Sequence, residues 1–156
     1  MELSIDLQLA HEDPDFTPEP AALKRYVTAA LEGADYHEDA ELTVRMTDSQ
    51  EIRELNRDYR HMDKPTNILS FPFECPPEVK LPLLGDLIVC TEVLKREAGE
   101  QGKSVEEHFA HLIVHGTLHL LGYDHIEDDE ALVMESLESR VVMSLGFADP
   151  YASEKD

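Results

Sequence analysis

Cations are scarce in this sequence: 13 lysines and arginines stand against 34 aspartates and glutamates, a formal net charge of −21 over 156 residues. Polyanions such as RNA are repelled by an acidic surface and bind through clustered Lys and Arg, so the total taken alone argues against a nucleic-acid partner. Cysteine is scarce as well. Cys75 and Cys90 form neither a CxxC pair nor a disulfide-dense framework, and read as reduced thiols of a cytosolic protein filling core or loop positions. Long apolar runs are missing too: none approaches the roughly eighteen residues that span a bilayer. The opening MELSIDLQLAHED alternates apolar and polar residues and carries acids early, unlike a signal peptide. The expectation is a soluble, cytoplasmic protein with no membrane partner.

What is present is enough apolar content, 42 %, to bury one core. Residues 1–150 read as one domain and 151–156 as a short tail, and from residue 150 onward the chain looks expendable. The few cations are not scattered. Arg45, Arg53, Arg57, Arg60 and Lys64 fall within residues 45–64, whereas acids gather at 12–19, 32–41 and 127–138.

Leu3, Ile5, Leu7 and Leu9 alternate with polar residues, the period of a strand with one buried face. Thr17 as N-cap and Pro18 at the first position predict a helix with Leu23, Tyr26, Val27, Ala30 and Leu31 along its apolar stripe. Leu42, Val44 and Met46 give a second strand. Asp48 with Glu51 three later opens a helix that buries Ile52, Leu55 and Tyr59. Pro72 marks the strand at 67–73 as an edge or a strand end, and prolines make 76–82 a loop. The run Leu87 to Cys90 reads as a strand covered on both faces. A short helix at 91–99 follows, then a helix at 105–121, started by Ser104 and Glu107, whose nearly encircling apolar residues make it central. A last helix spans 128–145 and stops at Gly146. The fold class is α+β: a small mixed sheet of about four strands packed with about five helices, with a metzincin-like histidine-bearing central helix.

That central helix carries HGTLHLLGYDH, residues 115–125. His115 and His119 stand four apart and so present their rings from one helix face. Gly122 can end the helix in the left-handed conformation and let His125 swing back. This is the ligand spacing of the metzincin motif. Three neutral imidazoles fit Zn²⁺, one per chain, and leave its fourth position to water, as a catalytic site requires. The alternative is a set of core histidines bonded to backbone carbonyls. His111, four before His115, continues the stripe, either beside the metal or as a packed or solvated histidine.

With HGTLHLLGYDH, NRDYRHMDKPTNILSFPFE at 56–74, LGDLIVC at 84–90 and SLGFADPY at 144–151, the chain resembles the YbeY family of bacterial metal-dependent endoribonucleases. The resemblance implies a single-strand-specific ribonuclease acting in maturation of ribosomal RNA, at the 3′ end of the small-subunit RNA, and in ribosome quality control. It places the family's metal-binding histidines on His115, His119 and His125, and its functionally important arginine on Arg60. Implied partners are ribosomal RNA and the ribosome or its proteins, with no DNA.

One letter of the metzincin pattern is missing: Gly116 stands where a metalloprotease carries the glutamate that deprotonates the zinc-held water. RNA needs that base less. Its own 2′-hydroxyl can attack, or the metal can lower the pKa of a water to about 7. Cleavage of a phosphodiester does need positive charge at the equatorial oxygens, and arginine's planar fork suits that task. Arg53, Arg57 and Arg60 stand at i, i+4 and i+7, either the basic wall of an RNA groove or a solvated face paired with Glu54 and Asp58. Asp86, Thr66, Asn67 and Asp124 read equally as substrate or ligand-orienting groups and as turn and cap residues.

Two rivals follow from the same residues. One is a zinc metalloprotease or other zinc hydrolase whose base is Glu127 or Asp124. The other is a non-catalytic, ribosome-docking factor whose zinc only holds residues 115–125 in place. The acidic total further implies weak, salt-dependent affinity for free RNA, with targeting supplied by ribosomal proteins.

Overall fold

Alternating strands and amphipathic helices assemble, in the computed structural model, into β1 (Leu3–Leu9), α1 (Pro20–Gly33), β2 (Ala40–Thr47), α2 (Ser49–Arg60), β3 (Ile68–Pro72), β4 (Leu83–Cys90), α3 (Thr91–Glu100), α4 (Val105–Leu120) and α5 (Asp128–Ser144). Residues 2–74, 78–79, 81–123 and 127–151 are described; Cys75, Asp124 and His125 lie outside them. The fold is α+β, with a four-stranded mixed sheet in the order β1-β2-β4-β3. β1, β2 and β4 run parallel, and β3 pairs antiparallel with β4 at the edge, where Pro72 costs no interior ladder bond.

β4 is the hub of the sheet. Leu87 and Val89 enter the larger core with Ile68, Phe109 and Ile113, while Ile88 and Cys90 point the other way to meet Ile52, Leu69 and Val93. The apolar run without alternation is thus explained by helices on both faces. α4 lies at the centre, against α1, α3, α5 and the β3–β4 pair. No helix among the described residues is long and apolar enough to cross a membrane.

The helix starts differ from expectation at one place. α1 begins at Pro20 with Glu19 as N-cap, not at Thr17, and Glu19 is extended at φ −84, ψ 125. Proline disfavours the helical region for the residue before it, so Pro20 itself keeps Glu19 out of the helix. α2 and α4 start as expected: Asp48 accepts from the Glu51 N–H at 2.9 Å and Ser104 from the Glu107 N–H at 3.1 Å. Two apolar residues are misplaced by periodicity. Leu9, the last residue of β1, is 47 % exposed, and Tyr59 is 67 % exposed. α2 instead turns Asn56 inward, where its side-chain N–H donates to the Lys64 carbonyl at 2.9 Å, and Tyr59 packs edge-on against Phe71 at the surface.

Gly116 answers a packing demand. A Cβ there would lie 2.8 Å from Leu87 Cδ2 and 2.9 Å from Ile68 Cδ1, so α4 approaches the sheet as closely as it does because position 116 has no side chain. Gly85 is constrained more severely. Its φ is +141, and a Cβ would meet the Phe71 carbonyl oxygen at 2.2 Å.

Candidate active site

α4 presents His115 and His119 on the face beside β3. Their Nε2 atoms are 3.1 Å apart. Two imidazole nitrogens sharing a tetrahedral Zn²⁺ at 2.0–2.1 Å would stand roughly 3.3 Å apart, so the pair fits a common metal. The helix ends as the spacing predicts: the Gly122 N–H donates to the His119 carbonyl, the Tyr123 N–H to the Leu118 carbonyl, and Gly122 adopts φ +100. The residue expected to swing back as third ligand, His125, lies outside the described residues, and no cluster of three metal-binding side chains forms among the described ones.

A cleft of about 660 Å³ opens in front of these two rings, lined also by Arg60, Thr66, Asn67 and Ser70. α2 ends at Arg60, His61 following in the left-handed conformation at φ 60, and Arg60 thereby comes to line the cleft. Thirty-four acids notwithstanding, no Asp or Glu among the described residues lines it. The other two arginines of the stripe are occupied elsewhere: Arg53 holds Asp63 at 2.8 and 3.3 Å, and Arg57 holds Asp58 at 3.1 Å. Arg45 is structural, gripping Glu51 at 2.7 and 3.0 Å. Asp86 lies in a separate cleft with Asp6, Glu41 and Thr43. Glu127 stands at the N-cap position of α5, without a side-chain capping bond, and does not line the histidine cleft.

Behind the rings stands a group that periodicity did not single out. Glu138 of α5 is fully buried, and its carboxylate accepts from His115 Nδ1 at 2.6 Å, from His111 Nε2 at 2.8 Å and from the Tyr151 hydroxyl at 2.6 Å. Burial would raise this carboxyl, but the hydrogen bonds from His111 and His115 and the field of His115 outweigh it and hold the group at about 2. An ionised carboxylate only accepts, so the His115 Nδ1 that faces it carries a hydrogen, and Nε2 is the ring nitrogen turned toward His119. Next along α4, buried His108 faces Glu97 at 3.0 Å, and Asn67 donates to the same carboxylate oxygen at 2.9 Å. Burial lowers the His108 pKa against the pull of Glu97. A second cavity of about 500 Å³ lies there, sharing Asn67 and His115 with the first and bounded by Tyr151.

The family model described as endoribonuclease YbeY matches residues 10–146. The chain belongs to the YbeY endoribonuclease family. A YbeY endoribonuclease from Psychromonas ingrahamii is 54 % identical over 158 aligned positions that span both chains completely. A solution structure from Thermotoga maritima shares the fold, with a TM-score of 0.59 and 25 % identity over 97 % of this chain and 91 % of that one.

In this YbeY-family chain, then, sequence reasoning brought Arg60, His115 and His119 to one place and missed Glu138 and Tyr151. A signal for Glu138 existed: it lies four residues after Met134 and four before Val142, in the apolar face of α5. A carboxylate at such a position needs partners. Tyr151 carried no comparable signal: it falls in the stretch from 150 onward that reads as expendable in the sequence, and its hydroxyl donates to Glu138.

Proposed function

We propose that this endoribonuclease cuts single-stranded ribosomal RNA in the cytoplasm, in maturation of the small-subunit 3′ end and in ribosome quality control. In this reading one Zn²⁺ is held by His115, His119 and His125, and Arg60 steadies the phosphoryl transition state. The supporting observation is the cleft in which Arg60 meets the paired histidines without a carboxylate among its described lining residues. A phosphodiester brings its own negative charge and is repelled by acids, whereas amide hydrolysis calls for a nearby carboxylate base. The cleft, as its described residues line it, therefore suits the first substrate.

The chemistry the metal supplies when bound is positive charge beside the phosphate and a water acidified to a pKa of about 7. The protein's own residues do the rest. Arg60 offers a planar fork to two non-bridging oxygens and gains most when they carry the extra charge of the transition state. His115, whose Nδ1–H is held by Glu138, presents Nε2 as the nitrogen that would hold the metal. Asn67 and Thr66 supply polar contacts for the sugar-phosphate chain, and position 116 offers no base, since it is closed by Leu87 and Ile68. Ribosomal proteins bring the acidic chain to its substrate.

The test is cleavage of end-labelled ribosomal RNA by zinc-loaded protein beside His115→Ala and Arg60→Ala. Arg60→Ala is expected to lose about 100-fold in kcat, the scale of one transition-state charge contact, and His115→Ala to lose metal-dependent cutting altogether. Cutting retained in His115→Ala would defeat the reading. A 2′,3′-cyclic phosphate at the product end would assign attack to the RNA 2′-hydroxyl, and its absence with a water-derived end would assign it to water.

A further inference from the structure

We propose that Glu138 is the positioning residue of His115, and that the carboxy-terminal segment 147–151 holds Glu138 in that role through the Tyr151 hydroxyl. The inference rests on reading His115 as a metal ligand. Its geometric basis is a division of labour between the two carboxylate oxygens: Oε1 takes His115 Nδ1 at 2.6 Å, and Oε2 takes both His111 Nε2 at 2.8 Å and the Tyr151 hydroxyl at 2.6 Å.

An imidazole pinned through Nδ1–H has one tautomer and one ring orientation. The carboxylate behind it also makes the opposite nitrogen a better donor of its lone pair. With Oε1 fixed, the His115 Nε2 is aimed at the point it shares with His119, 3.1 Å away. His111 and Tyr151 in turn stop the carboxylate from rotating. Without them Glu138 would keep one directional partner and could swing out of the imidazole plane.

The segment that supplies Tyr151 is itself anchored. Asp149 Oδ1 accepts from the Ser139 hydroxyl at 2.8 Å and from the Tyr151 N–H at 2.9 Å, which ties the chain end back to the turn of α5 bearing Glu138. The Tyr151 ring meets His111 edge-on at 5.6 Å, and Phe147 packs edge-on against Tyr26 at 6.2 Å. Residues 147–151 thus work as a strap across the back of the histidine pair. This gives SLGFADPY a purpose that helix termination by Gly146 does not.

Glu138→Gln is the sharp variant because shape is kept while the donor count is broken. The amide has one accepting oxygen and one donating nitrogen, so the three groups can no longer all donate to it as they do to the carboxylate. Tyr151→Phe removes a single hydroxyl and spares both histidine contacts. Zn²⁺ affinity of the full chain, by competition with a chromophoric chelator, and the visible spectrum of the Co²⁺-loaded protein are read for wild type, His115→Ala, Glu138→Gln and Tyr151→Phe. Apo-protein melting curves show which variants fold.

Glu138→Gln is expected to bind Zn²⁺ about 10- to 100-fold more weakly with shifted Co²⁺ bands, and Tyr151→Phe to move the same way by a smaller factor. Wild-type affinity and spectrum in whichever of the two folds, with affinity lost in His115→Ala, would overturn the positioning role and leave the metal reading intact. Wild-type affinity in His115→Ala as well would overturn both.

Discussion

Gly116 decides more than the motif around it suggests. Its position in HGTLH invites the idea that a glutamate there would restore a metalloprotease, yet the missing side chain faces the sheet, with Leu87, Ile68 and Ser70 as its neighbours. A larger residue must displace packed atoms, and a carboxylate must also be buried beside Leu87 and Ile68 with no cation among the atoms nearest that position. Gly116→Glu is expected to lose at least about 2 kcal/mol of stability, seen as a lower urea midpoint, and to gain no activity on casein. Unchanged stability with zinc-dependent proteolysis would show that the side chain reaches the metal after all. At this scale the sequence was legible wherever a role follows from local spacing: His115 and His119 share a helix face because they stand four apart. Glu138 was not legible because its role depends on how α5 crosses α4, and Tyr151 because it depends on a chain reversal fixed by Asp149.

Among elements, order and type followed from periodicity, and the misplacements have local causes. Proline at 20 overrode the Thr17 and Pro18 start of α1, and the rotation of α2 replaced Tyr59 with Asn56 on the inner side. Capping gives a test of both. Asp48 accepts the Glu51 N–H, whereas Thr17 stands outside the helix it had been expected to cap. Asp48→Ala is expected to destabilise the protein by about 1 kcal/mol, with Thr17→Ala within about 0.5 kcal/mol of wild type, both by urea denaturation. The reverse ordering would mean that α1, in solution, begins before Pro20. α2 matters beyond its own stability, because its length and its left-handed stop at His61 place Arg60 at the cleft. Destabilising its start should therefore reach cleavage only through loss of Arg60's placement.

For the whole molecule the difficulty is charge. A chain of net −21 belonging to an endoribonuclease family must meet RNA somewhere that its own field does not forbid. Composition could not show where, since it counts charges without their partners. The arginine stripe, read along the sequence, offered a basic wall; in three dimensions Arg53 and Arg57 are neutralised by Asp63 and Asp58, and Arg60 is left facing the cleft. Few phosphates can then be neutralised at once. With Arg60 and a metal as the contacts, log K for a single-stranded oligonucleotide should fall with log salt at a slope of roughly −1 to −2, from about 0.7 per neutralised phosphate. Affinity near the weak, non-specific end, about 10⁻⁴ M at physiological salt, is expected with it. Arg57→Ala should leave both numbers in place, whereas Arg60→Ala should flatten the slope by nearly one phosphate's share. Fluorescence anisotropy across a salt series reads all three. A slope several times steeper, or a Kd in the nanomolar range for naked RNA, would mean that a second basic surface engages the strand. The proposed delivery of the substrate by ribosomal proteins would then be unnecessary.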